Sequence, residues 1–189
     1  LLDINAHGST ICAVTVSPDS QWVASAGMDQ TVMIRRFPSL EKVTEWPLET
    51  VGWFVEFTPD SSQLLTPHRG KRIVLWDLST HSRVRDFPGQ LAGLAKTKPL
   101  MAVSTASPWF FEPAGEVSVW NYASGQQLEV LPMPGRAVCL SPDGNLVACG
   151  GVANSVMIWD RTTRRKTFEF TTPGVAWTLR FSPDGRYLA

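Results

Sequence analysis

Residues 141–160 read "SPDGNLVACGGVANSVMIWD", and the same layout recurs in "SPDSQWVASAGMDQTVMIRR" at 17–36 and "TPDSSQLLTPHRGKRIVLWD" at 58–77. Each opens on Ser/Thr-Pro-Asp and ends in an apolar run. Two of the three finish on Trp-Asp, at Trp76-Asp77 and Trp159-Asp160. From the proline to the Trp position is 17 residues in every copy: Pro18 to Arg35, Pro59 to Trp76, Pro142 to Trp159. Pro18 to Pro59 and Pro142 to Pro183 each span 41 residues, and the 83 between Pro59 and Pro142 leave room for two units. The middle unit lacks the Pro-Asp turn ("AKTKPLMAVS", 95–104) but keeps "VSVWN" at 117–121. A unique catalytic site needs its residues once; a repeat in register implies stacked structural modules.

Each unit reads as four short strands. "CAVTV" or "VEF" precedes the Pro-Asp turn, and "QWVASA" or "NLVACG" follows it. "TVMIR", "RIVLWD" or "SVMIWD" comes third, and "KVTEW", "VRDF" or "KTFEF" fourth. Val, Ile, Thr, Trp and Phe between turn residues indicate strands, and no amphipathic helical period competes. Proline presets φ for the turn, while Asp and Gly tolerate the positions after it. A four-stranded sheet cannot cover both its own faces. Radial stacking of such sheets does so.

The chain resembles the WD-repeat β-propellers, whose units of roughly 40–45 residues carry Gly-His early and Trp-Asp late. "AHGSTICAVTVSPD" at 6–19 carries the opening of such a unit. The resemblance implies an all-β propeller of four-stranded antiparallel blades over residues 1–189, with units at about 6–46, 47–87, 88–130 and 131–171 and partial units at 1–5 and 172–189. Rings of this family have around seven blades, so the expectation is a fragment whose remaining blades belong to the same longer chain. Raw sheet edges invite aggregation.

The family often links His, Ser/Thr, Asp and Trp within a blade by hydrogen bonds. His7, Ser25 and Asp29 fill three of these positions, but Arg35 stands at the Trp. Leu48 and Gly70 replace His and Asp in the second unit, as do Leu131 and Ala153 in the fourth. With no complete tetrad, the blades are expected to rely on apolar packing around Trp76, Trp120 and Trp159.

Chemistry-bearing patterns are sparse. The 17 Lys plus Arg balance 17 Asp plus Glu, so no net field favours nucleic acid or an anionic membrane. Hydrophobic residues make up 43% of the chain, enough for a core, yet no 18-residue apolar run spans a bilayer. Cys12, Cys139 and Cys149 lack metal-ligand or disulfide-framework spacing. His68 and His81 are expected in turns without a second ligand nearby. No Gly-x-Ser-x-Gly and no phosphate-cradling loop occurs. The basic run "RTTRRK" at 161–166 lacks interleaved aromatics and reads as a solvated turn. The expectation is therefore no enzyme, no cofactor and no metal, with the cysteine usage and family habit suggesting a cytoplasmic protein.

Two features suggest recognition of proteins or peptides. The resemblance places certain first-strand residues, and the residue before the tetrad Asp, on the top of the ring, where family members contact partners. Carried over, this nominates Thr10, Cys12 and Met28; Val51, Trp53 and Arg69; Pro134, Arg136 and Val152; Val175 and Trp177. Trp and Arg are favoured hot-spot types. Trp53, Val55 and Phe57 alternate in phase, as do Trp177, Leu179 and Phe181, so a core role for both tryptophans competes. The second feature is "STASPWFFEPAGE" at 104–116, a loop with seven extra residues carrying Trp109, Phe110 and Phe111 between Pro108 and Pro113. It serves either as a partner-binding lip or as packing against a neighbouring blade. Rival readings are a propeller attached to a kinase or peptidase, and a ring binding a ligand or nucleic acid directly.

Overall fold

The computed structural model describes residues 7–106, 115–152 and 154–189. Every sheet is a four-stranded antiparallel meander. The first holds β1 (Ile11–Val16), β2 (Trp22–Gly27), β3 (Thr31–Arg36) and β4 (Lys42–Pro47). The second holds β5 (Glu56–Phe57), β6 (Gln63–His68), β7 (Arg72–Asp77) and β8 (Ser82–Pro88). β9 (Leu91–Leu94), β10 (Leu100–Ser104), β11 (Gly115–Asn121) and β12 (Gln126–Gly135) form the third. β13 (Ala137–Leu140), β14 (Leu146–Val152), β15 (Ser155–Asp160) and β16 (Arg165–Thr171) form the fourth. Residues after β16 contribute a further turn closed by a Phe181–Leu188 bridge. No helix occurs among the described residues.

The repeated Ser/Thr-Pro-Asp is one turn built four times from the same atoms. The hydroxyls of Ser17, Thr58, Ser141 and Ser182 donate to Asp19, Asp60, Asp143 and Asp184 at 2.5–2.6 Å. Each hydroxyl oxygen also accepts the N–H five residues on, from Trp22, Gln63, Leu146 and Tyr187. Ser20, Ser61, Gly144 and Gly185 take the left-handed conformation that closes the turn. These hydrogen bonds hold the turn carboxylates of Asp19, Asp143 and Asp184 below the usual range. Burial opposes that shift at Asp60, where the hydrogen bonds prevail.

The chain divides into two compact units, one reaching to Phe87 and one beginning at Pro88. In the first, Ala24, Ala26, Val32, Ile34 and Trp46 of the first sheet pack against Leu48, Val55, Phe57 and Leu64. Trp46 also stacks on Trp76 of the second sheet, with centroids 4.8 Å apart and planes within 10°. In the second unit, Leu100, Ala102, Val117, Val119, Leu131 and Met133 meet Val138, Leu140, Val147 and Cys149. The other face of that fourth sheet presents Ala137, Cys139, Ala148 and Val156 to Leu179, with Phe181 and Leu188 alongside. Alternation along β13 therefore sends Val138 and Leu140 one way and Ala137 and Cys139 the other. Neighbours bury both faces of this sheet along its inner strands, as the repeat demanded, while β16 stays exposed along its length. Each fully buried Leu or Val contributes about 1.5–3 kcal/mol relative to exposure.

Three expectations need correction. His68 is not in a turn: it ends β6 and is 8% exposed, its ring 5.8 Å from that of Trp76. Two of the three Trp positions do not rely on apolar packing alone. Trp76 Nε1 donates to Thr66 Oγ1 at 2.8 Å, and Trp120 Nε1 to Ser118 Oγ at 2.9 Å. Gly115 and Glu116, read as loop, begin β11.

Candidate recognition surface

Close backbone approach fixes one end of the first unit's sheets. Gly52 donates its N–H to Gly27 O at 3.0 Å, and Met28 donates to Thr10 O at 2.8 Å. A Cβ on Gly52 would lie 2.5 Å from Ala26 Cβ, so only glycine lets this segment lie against β2. Trp53 N–H folds back to Val51 O at 3.0 Å. Thr10, Cys12 and Met28 are thereby set beside Val51 and Trp53.

His7 locks this end from below. Its Nε2 lies 2.8 Å from Ser25 Oγ and its Nδ1 3.0 Å from the Asp29 carboxylate. Asp29 also accepts from Gly8 N–H at 2.9 Å and Thr31 Oγ1 at 3.0 Å. Burial pushes the Asp29 carboxyl up, but the bonds from His7, Thr31 and Gly8 outweigh it and hold the group below its usual value. The Cys12 thiol is pushed up by burial and by the Asp29 charge, which disfavours the nucleophilic thiolate.

Of the nominated residues, Met28 is 44% and Trp177 59% exposed. Thr10, Arg69 and Pro134 are exposed as well. Cys12, Val51, Trp53, Arg136 and Val175 are half-buried. Val55, Phe57 and Leu179, in phase with the two tryptophans, are buried, whereas neither tryptophan is. In the second unit Arg136 N–H donates to Gly150 O at 2.8 Å, and Gly150 lets Ala176 approach as Gly52 approaches Ala26. The same device thus recurs one unit on. The side chain of Val152 and the residues Trp109, Phe110 and Phe111 lie outside those described. Among the described residues no His, Cys, Asp and Glu group is arranged to hold a metal ion.

Asp77 and Asp160, the Asp of each Trp-Asp, act in turns. Asp77 Oδ1 accepts from the N–H and hydroxyl groups of Ser79 and Thr80, which lower its carboxyl to about 2. Asp160 does the same for Thr162 and Thr163. Sequence reading missed the Thr66–Trp76 bond, although Thr66 occupies the same place after its proline as Ser25 does.

Four-stranded antiparallel meanders, stacked face to face within each unit, with one repeated turn in three of the four, define this as an all-β repeat protein of the propeller-blade kind. The family model described as "WD domain, G-beta repeat" matches residues 1–35 and 129–160, which supports a WD-repeat family for this chain. It is 23% identical to Protein groucho of Drosophila melanogaster, over 97% of this chain and 26% of the relative. It is 24% identical to Transcription factor unc-37 of Caenorhabditis elegans, over 97% of this chain and 32% of the relative. WD repeat-containing protein slp1 of Schizosaccharomyces pombe is 24% identical over 82% of the chain and 34% of its own length. The chain thus spans about a quarter to a third of these relatives.

Proposed function

We propose that the chain is a non-catalytic scaffold that recognises proteins or peptides through the blade ends bearing Thr10, Cys12, Met28, Val51, Trp53 and Arg69 in one unit, and Arg136 and Trp177 in the other. The observation that carries this reading is Met28, 44% exposed yet fixed by its backbone bond to Thr10 beside the Gly27–Gly52 contact. A large apolar side chain held on rigid backbone costs little ordering when a partner arrives. The likeness to WD-repeat relatives supports a scaffolding role of this general kind.

The test places a photo-crosslinking amino acid at Met28 or Trp177, and at Glu45 on an outer strand as control, in separate preparations of the chain. Crosslinks to a common protein partner from the first two sites, and not from Glu45, support the reading. A purified partner should then bind Trp177→Ala at least about 2 kcal/mol more weakly, with unchanged melting. Equal crosslinking from all three sites overturns it.

A further inference from the structure

At the other end of the first unit's strands, away from the Thr10–Met28 bond, lies a cavity of about 200 Å³. Trp22, Ser61, Ser62, Asp77, Leu78 and Ser79 line it. Ser61 and Ser62 come from one copy of the repeated turn, which the bond from Asp19 N–H of another copy to Ser61 Oγ at 3.1 Å holds in place. Leu78 N–H donates to Ser62 O at 3.0 Å, closing the floor. Drug-sized ligands occupy roughly 300–1,000 Å³, so this cavity suits a single side chain.

The lining selects the guest's charge. The Ser62 hydroxyl donates to Asp60 Oδ2 at 2.9 Å and the Ser79 hydroxyl to Asp77 Oδ1 at 2.7 Å. With those protons committed, both hydroxyls offer acceptor lone pairs. The bonds described for Asp77 all fall on Oδ1, and its carboxylate stays ionised through the physiological range. The lining also includes the Trp22 indole, an aromatic that the chain's own Arg36 approaches with its Cζ 5.3 Å from the ring centroid. An ionised carboxylate, acceptor hydroxyls and an aromatic wall together favour a planar, donor-rich cation over an anion or a neutral amide.

We propose that this cavity binds the arginine side chain of a partner peptide, with the guanidinium against Asp77 and Trp22. The site is separate from the surface proposed above, and the two readings fail independently.

The probe is acetyl-Gly-Arg-Gly-amide, titrated into the full 189-residue chain with backbone amide resonances observed. The neutral citrulline peptide of the same shape is the control. Arginine peptide binding with Kd on the order of 1 mM is expected, as for a single weakly anchored side chain. The citrulline peptide should bind at least about tenfold more weakly, since one lost charge-assisted contact has that effect. Asp77→Asn, which keeps an acceptor in the turn, should weaken arginine binding by about fivefold or more. A spin label on the peptide should broaden the amides of Ser62, Leu78 and Ser79 in the unaltered chain, a measurement that needs no variant to fold. Equal binding of the two peptides overturns the proposal. So does broadening confined to residues 10–12, 28 and 51–53.

Discussion

Cys149 stands where Ser25 and Thr66 stand in earlier blades, seven residues after the turn proline, and the buried Nε1 of Trp159 has no acceptor. In the first blade Ser25 serves His7, and in the second Thr66 serves Trp76, so two consecutive blades hold complementary halves of one network. The fourth blade has neither half. Cys149 and Trp159 instead belong to one apolar cluster, where burial pushes the thiol far up and keeps it protonated.

Restoring the oxygen should therefore help. Burying an uncompensated polar group costs about 1–3 kcal/mol in proteins. At residue 149 that cost is offset, because the new hydroxyl gives Trp159 its acceptor. Cys149→Ser is expected to melt at or above the parent temperature. Cys139→Ser, on the opposite face of the same sheet, is expected to lose about 1–3 kcal/mol. Adding Trp159→Phe to Cys149→Ser should abolish the gain, which a thermal double-mutant cycle measures.

His68 makes the first unit sensitive to mild acid. Burial lowers its pKa to about 4 from 6.5; the Glu49 charge opposes this, and the Arg83 and Arg72 charges add to it. Between those values the unfolded chain takes up a proton that the folded chain refuses. Stability is complete above pH 6.5 and declines as pH falls toward 4, by roughly 3 kcal/mol in total. The turn carboxylates act lower: their folded values are depressed, so their contribution fades only below about pH 4. His68→Phe retains a ring beside Trp76 and should flatten the melting profile between pH 6.5 and 4 while leaving the steeper loss below. An unchanged slope in that window would exclude His68 as its source.

Much of this architecture was legible because the repeat constrains local structure strongly. Pro18, Pro59, Pro142 and Pro183 announce turns that the structure builds from identical hydrogen bonds, and the flanking period of two fixes the strands. His68 was not legible as a strand residue, since "TPHRGKR" has the composition of a turn while its register on Arg72 extends β6. The exposure of the tryptophans was likewise hidden. Trp53 and Val55 share a phase, yet β5 spans only Glu56–Phe57, so alternation does not govern the irregular backbone before it. The Gly27–Gly52 contact depends on two residues brought together by stacking of successive sheets, which local pattern does not encode.

Removing His7 tests whether the locked end serves recognition as well as stability. His7→Ala leaves Ser25 without its imidazole partner and deprives Asp29 of one of its donors. Loss of a partner from a buried polar group costs about 1–3 kcal/mol. The melting temperature should fall accordingly. At a temperature where the variant remains folded, partner affinity should also fall, because Asp29 orients the segment carrying Gly8 and Thr10.

Gly52 is the sharpest test of the close approach. An added methyl would come 2.5 Å from Ala26 Cβ and 3.0 Å from the Ala26 and Gly27 backbone, and Ala26 is fully buried. Neither atom group is the far end of a flexible side chain, so the backbone must shift. Overpacking of this kind costs about 1–3 kcal/mol. Gly52→Ala should show that loss in denaturant titration and also weaken partner binding, since Val51 and Trp53 move with it. Gly8→Ala meets nothing within 4 Å and should change stability by no more than about 0.5 kcal/mol. Ala26→Gly combined with Gly52→Ala moves the methyl from one strand to the other and should recover much of the loss. Failure of that double variant to recover either stability or binding would locate the strain in the Gly27 backbone rather than in the Ala26 methyl.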